Sequence, residues 1–103
     1  MSKGEETRAA ILDRAFAEAS RVGLEGLTIG SLADEVGLSK SGLFAHFDSK
    51  ETLQLQVLET AAERFIETVV IPALKEPRGE PRLRALFERW MEWETAEFQP
   101  GGC

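Results

Sequence analysis

A chain of 103 residues, 43% hydrophobic and 29% charged, holds one compact domain or one domain and part of another, and is neither disordered nor fibrous in composition. Its one cysteine, Cys103, excludes an internal disulfide and suits a reducing cytoplasm, and no apolar run is long enough for a membrane span or a signal peptide. The formal net charge of -6 weighs against nucleic acid by its total, because phosphate contacts favour basic domains; yet no acidic residue lies between Val36 and Phe47, a window holding Lys40 and His46 with Lys50 just beyond.

Taken in chain order, Glu5 to Val22 places Ile11, Leu12, Ala15, Phe16, Ala19 and Val22 three and four residues apart, which predicts a first helix ended by Gly23. A short link over Leu24 to Leu27 follows. Thr28 offers an N-cap hydroxyl to a second helix in which Ile29, Leu32, Ala33 and Val36 share one face, and Gly37 stops it. Ser39 caps a third helix expected to reach about Phe47, burying Leu43 and Phe47 and exposing Lys40, Ser41, Ala45 and His46.

After a turn at Asp48 to Lys50, Ser49 caps a longer fourth helix whose apolar positions include Leu53, Val57, Leu58, Ala61, Phe65 and Val69. Pro72 should kink or end it near Val70, because proline lacks an amide donor and crowds the preceding turn. Lys75 to Pro81 reads as a loop. A fifth helix begins near Pro81 with Leu83, Leu86, Phe87 and Trp90 on one face and Met91 and Trp93 beside them, and Pro100, Gly101 and Gly102 end it. No strand pattern competes, so the chain is expected to be all-α.

The second and third helices, joined at Gly37, form the unit in which a following helix enters the DNA major groove. Ala33 is small enough for the two helices to cross closely, and Gly37 has the backbone freedom the turn requires. Leu32, Val36, Leu38 and Leu43 supply the apolar contacts between these helices and the first.

The run from Thr28 to Phe47, with Ser31-Leu32-Ala33, Val36-Gly37-Leu38-Ser39-Lys40-Ser41-Gly42-Leu43-Phe44 and then Ser49-Lys50-Glu51-Thr52-Leu53, resembles the signature of the TetR family of bacterial transcriptional regulators. With Thr7 to Leu12 and Ala15-Phe16, the resemblance covers about half the chain. It implies a three-helix, homeodomain-like helix-turn-helix domain over residues 1–52, then a long connecting helix and an incomplete effector-binding and dimerisation domain over 53–103. It also implies a homodimeric regulator, usually a repressor, that binds a palindromic double-stranded DNA operator and responds to a small-molecule effector. Relatives of this kind continue for about as many residues again, so a truncated chain with exposed apolar faces is expected to behave poorly as a monomer.

Carried onto matching positions, the resemblance makes Thr28 a phosphate contact as well as a helix cap. Ser39 and Lys40 become groove contacts, Lys40 donating either to guanine acceptors or to a phosphate. Ser41 and Gly42 keep the helix slim, Ala45 can meet a thymine methyl, and His46 and Lys50 face the DNA backbone. Phe44 departs from the usual tyrosine and lacks the hydroxyl that would reach a phosphate. Thr7 and Arg8 offer a further phosphate contact, or simply a frayed terminus.

Phe65, Trp90, Met91, Trp93 and Phe98 are the residue types that could line an effector cavity, although aromatic and methionine positions at helical spacing also describe a plain core. Nothing points to an enzyme or a cofactor: His46 has no nucleophile at motif spacing, there is no phosphate-binding glycine loop after a strand, and one histidine with one cysteine makes no zinc set. The rival reading is a helical protein-interaction module, or a fragment that no longer binds DNA, favoured by the negative charge and the missing tyrosine.

Overall fold

The computed structural model describes residues 2–95; Phe98, Pro100 and the terminal Gly101, Gly102 and Cys103 lie outside the described residues. The described chain is all helical and elongated, 50 × 29 × 21 Å. It comprises α1 (Lys3–Val22), α2 (Ile29–Val36), α3 (Lys40–Phe44), α4 (Lys50–Phe65), a π-helical turn (Ile66–Val70), α5 (Ile71–Leu74) and α6 (Glu80–Glu94). No described helix is long and apolar enough to cross a membrane.

Serine and threonine hydroxyls start the first four helices. Ser2, Thr28, Ser39 and Ser49 each accept the amide three residues on, at 3.0–3.1 Å, satisfying a donor that the helix itself cannot. Ser2 thus carries α1 two residues further toward the terminus than apolar spacing alone indicates. Gly37 ends α2 in the left-handed region (φ 73°), where the Leu38 amide donates back to the Ala33 carbonyl at 2.9 Å and the chain turns sharply into α3.

The first core joins α1, α2, α3 and the start of α4 through Ile11, Ala15, Leu32, Ala33, Leu43, Phe47, Leu53 and Val57, with Leu27 from the link also buried. Polar ties reinforce it. Arg8 donates to the Gln56 carboxamide at 2.8 Å and to the His46 carbonyl, with its guanidinium 5.0 Å from the Phe47 ring centre, and Gln54 donates to the Leu24 carbonyl at 3.1 Å. The third helix proper stops at Phe44, short of the expected Phe47. Beyond it the turn tightens, the His46 and Phe47 amides both donating to the Leu43 carbonyl, and Arg8 donates to the His46 carbonyl.

A second core brings Phe16 of α1, Val69 of the π turn and Trp93 of α6 together, with Ala61, Phe65 and Leu86 packed around them. Trp93 stacks edge-on against Phe16 (6.1 Å between centroids) and Phe65 (5.5 Å), and Phe65 meets Trp90 in the same way at 5.8 Å. The edge-on geometry sets positive ring edges against negative faces. Arg64 pairs with Asp13 and lies 5.1 Å over the Phe16 ring, so α4 is tied to α1 along both cores.

Two expectations change here. Pro72 does not end the helix: the coil widens one turn earlier, the Ile71 amide donating to the Ile66 carbonyl five residues back, and helical backbone continues to Leu74. The wider turn makes room for a ring that would otherwise strike the carbonyl four residues before it. The buried face of α6 also differs, for Leu86 and Trp93 pack inward whereas Leu83 and Phe87 are exposed, as is Leu58 on α4.

Leu43→Ala should cost about 2–5 kcal/mol in chemical denaturation, because it empties a fully buried site shared by three helices. A loss below about 1 kcal/mol would show that α3 is held by something other than this core. On α1, the Arg21 guanidinium, 2.6 Å from Glu18, holds that carboxyl below the usual range. The stabilisation is therefore complete at neutral pH and lost as pH falls through the lowered value. Glu18→Gln should flatten this part of the acid limb of stability against pH and leave the alkaline side unchanged.

Candidate nucleic-acid interface

The surface built by α2 and α3 is set by what α3 buries. With Leu43 in the core, Ser41 and Ala45 lie on the opposite side of this short helix, Ser39 and Lys40 are exposed at its open start and Phe44 on its flank, with Gly42 half-buried. Ser39 Oγ accepts the Gly42 amide at 3.0 Å and lies 3.2 Å from Ser41 Oγ, so the hydroxyls cluster at the start of the helix. Phe44 is 40% exposed, an aromatic ring on the presented side without a polar tip.

Thr28 is exposed at the start of α2. Lys40 lies against the same helix: a Cβ placed on Gly30 would meet Lys40 Cε at 3.2 Å and Nζ at 3.7 Å. The ammonium is thus laid back across the first turn of α2, which joins the Thr28 and Lys40 positions into one patch. Neither α2 nor α3 has an acidic residue in its first turn, whereas α1 carries Glu5 and Glu6, α4 carries Glu51 and α6 carries Glu80. The positive ends of these two helix dipoles are therefore not neutralised by first-turn carboxylates.

Lys50 is half-buried as the first residue of α4. His46 is also half-buried, its ring 6.4 Å from that of Phe47 and its carbonyl held by Arg8. Arg8, a candidate phosphate ligand by sequence, spends its guanidinium on Gln56, His46 and the Phe47 ring and so acts as a brace behind the surface. Gly30 had no role assigned from sequence. The available signal was a glycine in the first turn of a helix, where alanine would be favoured and no left-handed backbone is needed.

The five aromatic and methionine candidates separate. Phe65 and Trp90 line an apolar groove of about 500 Å³ between α4, α5 and α6, together with Leu74, Leu83, Leu86 and Arg82. Trp93 is buried between Phe16 and Phe65, Met91 is exposed outside the groove lining, and Phe98 is beyond the described residues. Among the described residues, no three His, Cys, Asp or Glu side chains come together as a metal site.

The family model for bacterial regulatory proteins of the tetR family matches residues 11–57, from the core position Ile11 of α1 to Val57 of α4. The structure is similar over its whole length to a crystal structure of a TetR transcriptional regulator from Chloroflexus aurantiacus J-10-FL, with a TM-score of 0.81 and 29% identity. The chain spans 52% of that protein's length. No curated protein matches it significantly. The matched segment holds the capped α2–α3 pair and the core that orients it, and by this match and the shared fold residues 11–57 are a segment of the kind found in the tetR family of bacterial regulatory proteins.

Proposed function

We propose that this chain is the DNA-reading part of a transcriptional regulator, which inserts α3 into the major groove and lets the starts of α2 and α4 face the flanking phosphates. The observation that carries this reading is the side chain set presented by α3. Small and polar groups at Ser39, Ser41, Gly42 and Ala45 let a helix lie close to base edges, in a stretch free of carboxylates from Val36 to Phe47. Lys40 serves a base edge or a phosphate, and Thr28, His46 and Lys50 serve the backbone. The division between residues 1–52 for reading and 53–103 for regulation belongs to the same proposal.

In the complete regulator the module acts as one half of a homodimer on a palindromic operator, with reading helices separated by about 34–36 Å or a multiple of that spacing. Repression relieved by a small molecule fits the apolar groove, whose Phe65 and Trp90 walls suit a hydrophobic effector. A cytoplasmic location follows from a DNA target. A second reading, a protein-interaction module, draws on the overall charge of -6 and on the exposed Phe87 and Trp90.

Selection from random duplex DNA at moderate salt should enrich a short motif with the native chain and none with Lys40→Ala. Absence of enrichment with the native chain would favour the interaction module. On the enriched duplex, Lys40→Ala and Lys50→Ala should each reduce the salt dependence of affinity by about one unit of log K against log salt if they contact phosphates. Phe44→Tyr should tighten binding by about 0.5–1.5 kcal/mol by restoring a phosphate hydrogen bond, read by titration against the same duplex.

A further inference from the structure

The close approach of Lys40 to Gly30 has no counterpart in the requirements of either helix alone. Gly30 does not have a positive φ, so its backbone is open to any residue, and in the first turn of a helix glycine is less favourable than alanine. What a side chain at this position would meet beyond its own helix is Lys40 among the described residues, with Cε 3.2 Å and Nζ 3.7 Å from an added Cβ. The contact joins α2 and α3 through residues ten apart in sequence. It also lays an ammonium over the positive end of α2, an arrangement the helix dipole itself opposes.

We propose that Gly30 is a positioning residue for DNA recognition: by lacking a side chain it leaves the space in which Lys40 lies back across the first turn of α2, and thereby sets where the ammonium meets the nucleic acid. This rests on the DNA-reading function proposed above. A side chain at position 30 pushes the flexible end of Lys40 outward, Cε being the nearest atom at 3.2 Å from an added Cβ. Residue 30 thus acts on recognition through the lysine, and its effect requires the lysine to be present.

The test is a double-mutant cycle on the full chain with the duplex enriched by the native protein, combining Gly30→Ala and the larger Gly30→Gln with Lys40→Ala. Gly30→Ala should weaken affinity about three- to tenfold, within the range for coupled neighbouring side chains, and Gly30→Gln should weaken it more. Both losses should vanish in the Lys40→Ala background. Melting temperature should be unchanged or higher for Gly30→Ala, since alanine favours the helix, so a loss of affinity cannot come from unfolding. An equal loss with and without Lys40, or no loss at all, would overturn the proposal.

A second measurement needs no DNA. In the native protein, proton NMR should show a cross-relaxation peak between the Gly30 Hα and Lys40 Hε protons, and this should weaken in Gly30→Gln; its absence from the native spectrum would also overturn the proposal. If the peak is present but the native chain binds no duplex, the DNA-reading function fails and takes the positioning role with it, while the packing contact stands. If the native chain binds and the cycle shows no coupling, only the role of Gly30 fails.

Discussion

A helix of five residues has no stability of its own, because nucleating the first turn fixes several dihedrals for a single hydrogen bond. α3 exists only because Leu43 and Phe47 are sunk in a core supplied by α1, α2 and α4. Every property of the presented surface follows from that anchorage. Once Leu43 points inward, the 3.6-residue repeat turns Ser41 and Ala45, two residues to either side of it, outward, while Ser39 and Lys40, four and three residues before it, are exposed at the open start of the helix with Lys40 lying toward α2. Arg8 completes the fixation from behind by binding the His46 carbonyl and lying over the Phe47 ring, which stops the chain from fraying where the helix ends.

Charge on this protein is a matter of place rather than total. Some of its carboxylates are paired, Glu18 with Arg21 on α1, Glu80 with Arg84 on α6 and Asp13 of α1 with Arg64 of α4, and none lies within α3. Exposed pairs of this type contribute little stability, so they serve mainly to keep the surface solvated. The starts of α2 and α3 are left without first-turn acids, so an acidic chain keeps a locally non-acidic surface there beside Lys40. A net charge summed over the sequence averages this region away.

The two cores meet along α1 and α4. α1 gives Ile11 and Ala15 to one and Phe16 to the other, and α4 gives Leu53 and Val57 to the first while Ala61 and Phe65 border the second. A displacement of α6 against Phe65 and Trp93 would therefore be felt by α4, whose first turn adjoins the end of α3. Such continuity of packed side chains links the groove beside Trp90 to the surface presented by α3.

Local chemistry made much of this chain legible. The capping residues Thr28, Ser39 and Ser49, the stop at Gly37, and the apolar repeat of α1 and α2 each depend on neighbours within one or two turns, and all appear where the sequence puts them. The outward placement of Ser41 and Ala45 was legible by periodicity, each lying two residues from the buried Leu43. What depends on partners distant in sequence was not legible. Arg8 could be a phosphate ligand or a brace until Gln56, 48 residues away, came beside it. Phe87 and Trp93 are equally apolar in sequence, yet one is exposed and one buried, because only the approach of α6 to Phe16 and Phe65 selects its inward face. Sequence by itself determined the caps at Thr28, Ser39 and Ser49 and the stop at Gly37, since these act through local hydrogen bonds and sterics. Tertiary structure alone decided that Lys40 rests over Gly30 and that Pro72 is absorbed by a widened turn, because both follow from the space that packed neighbours leave.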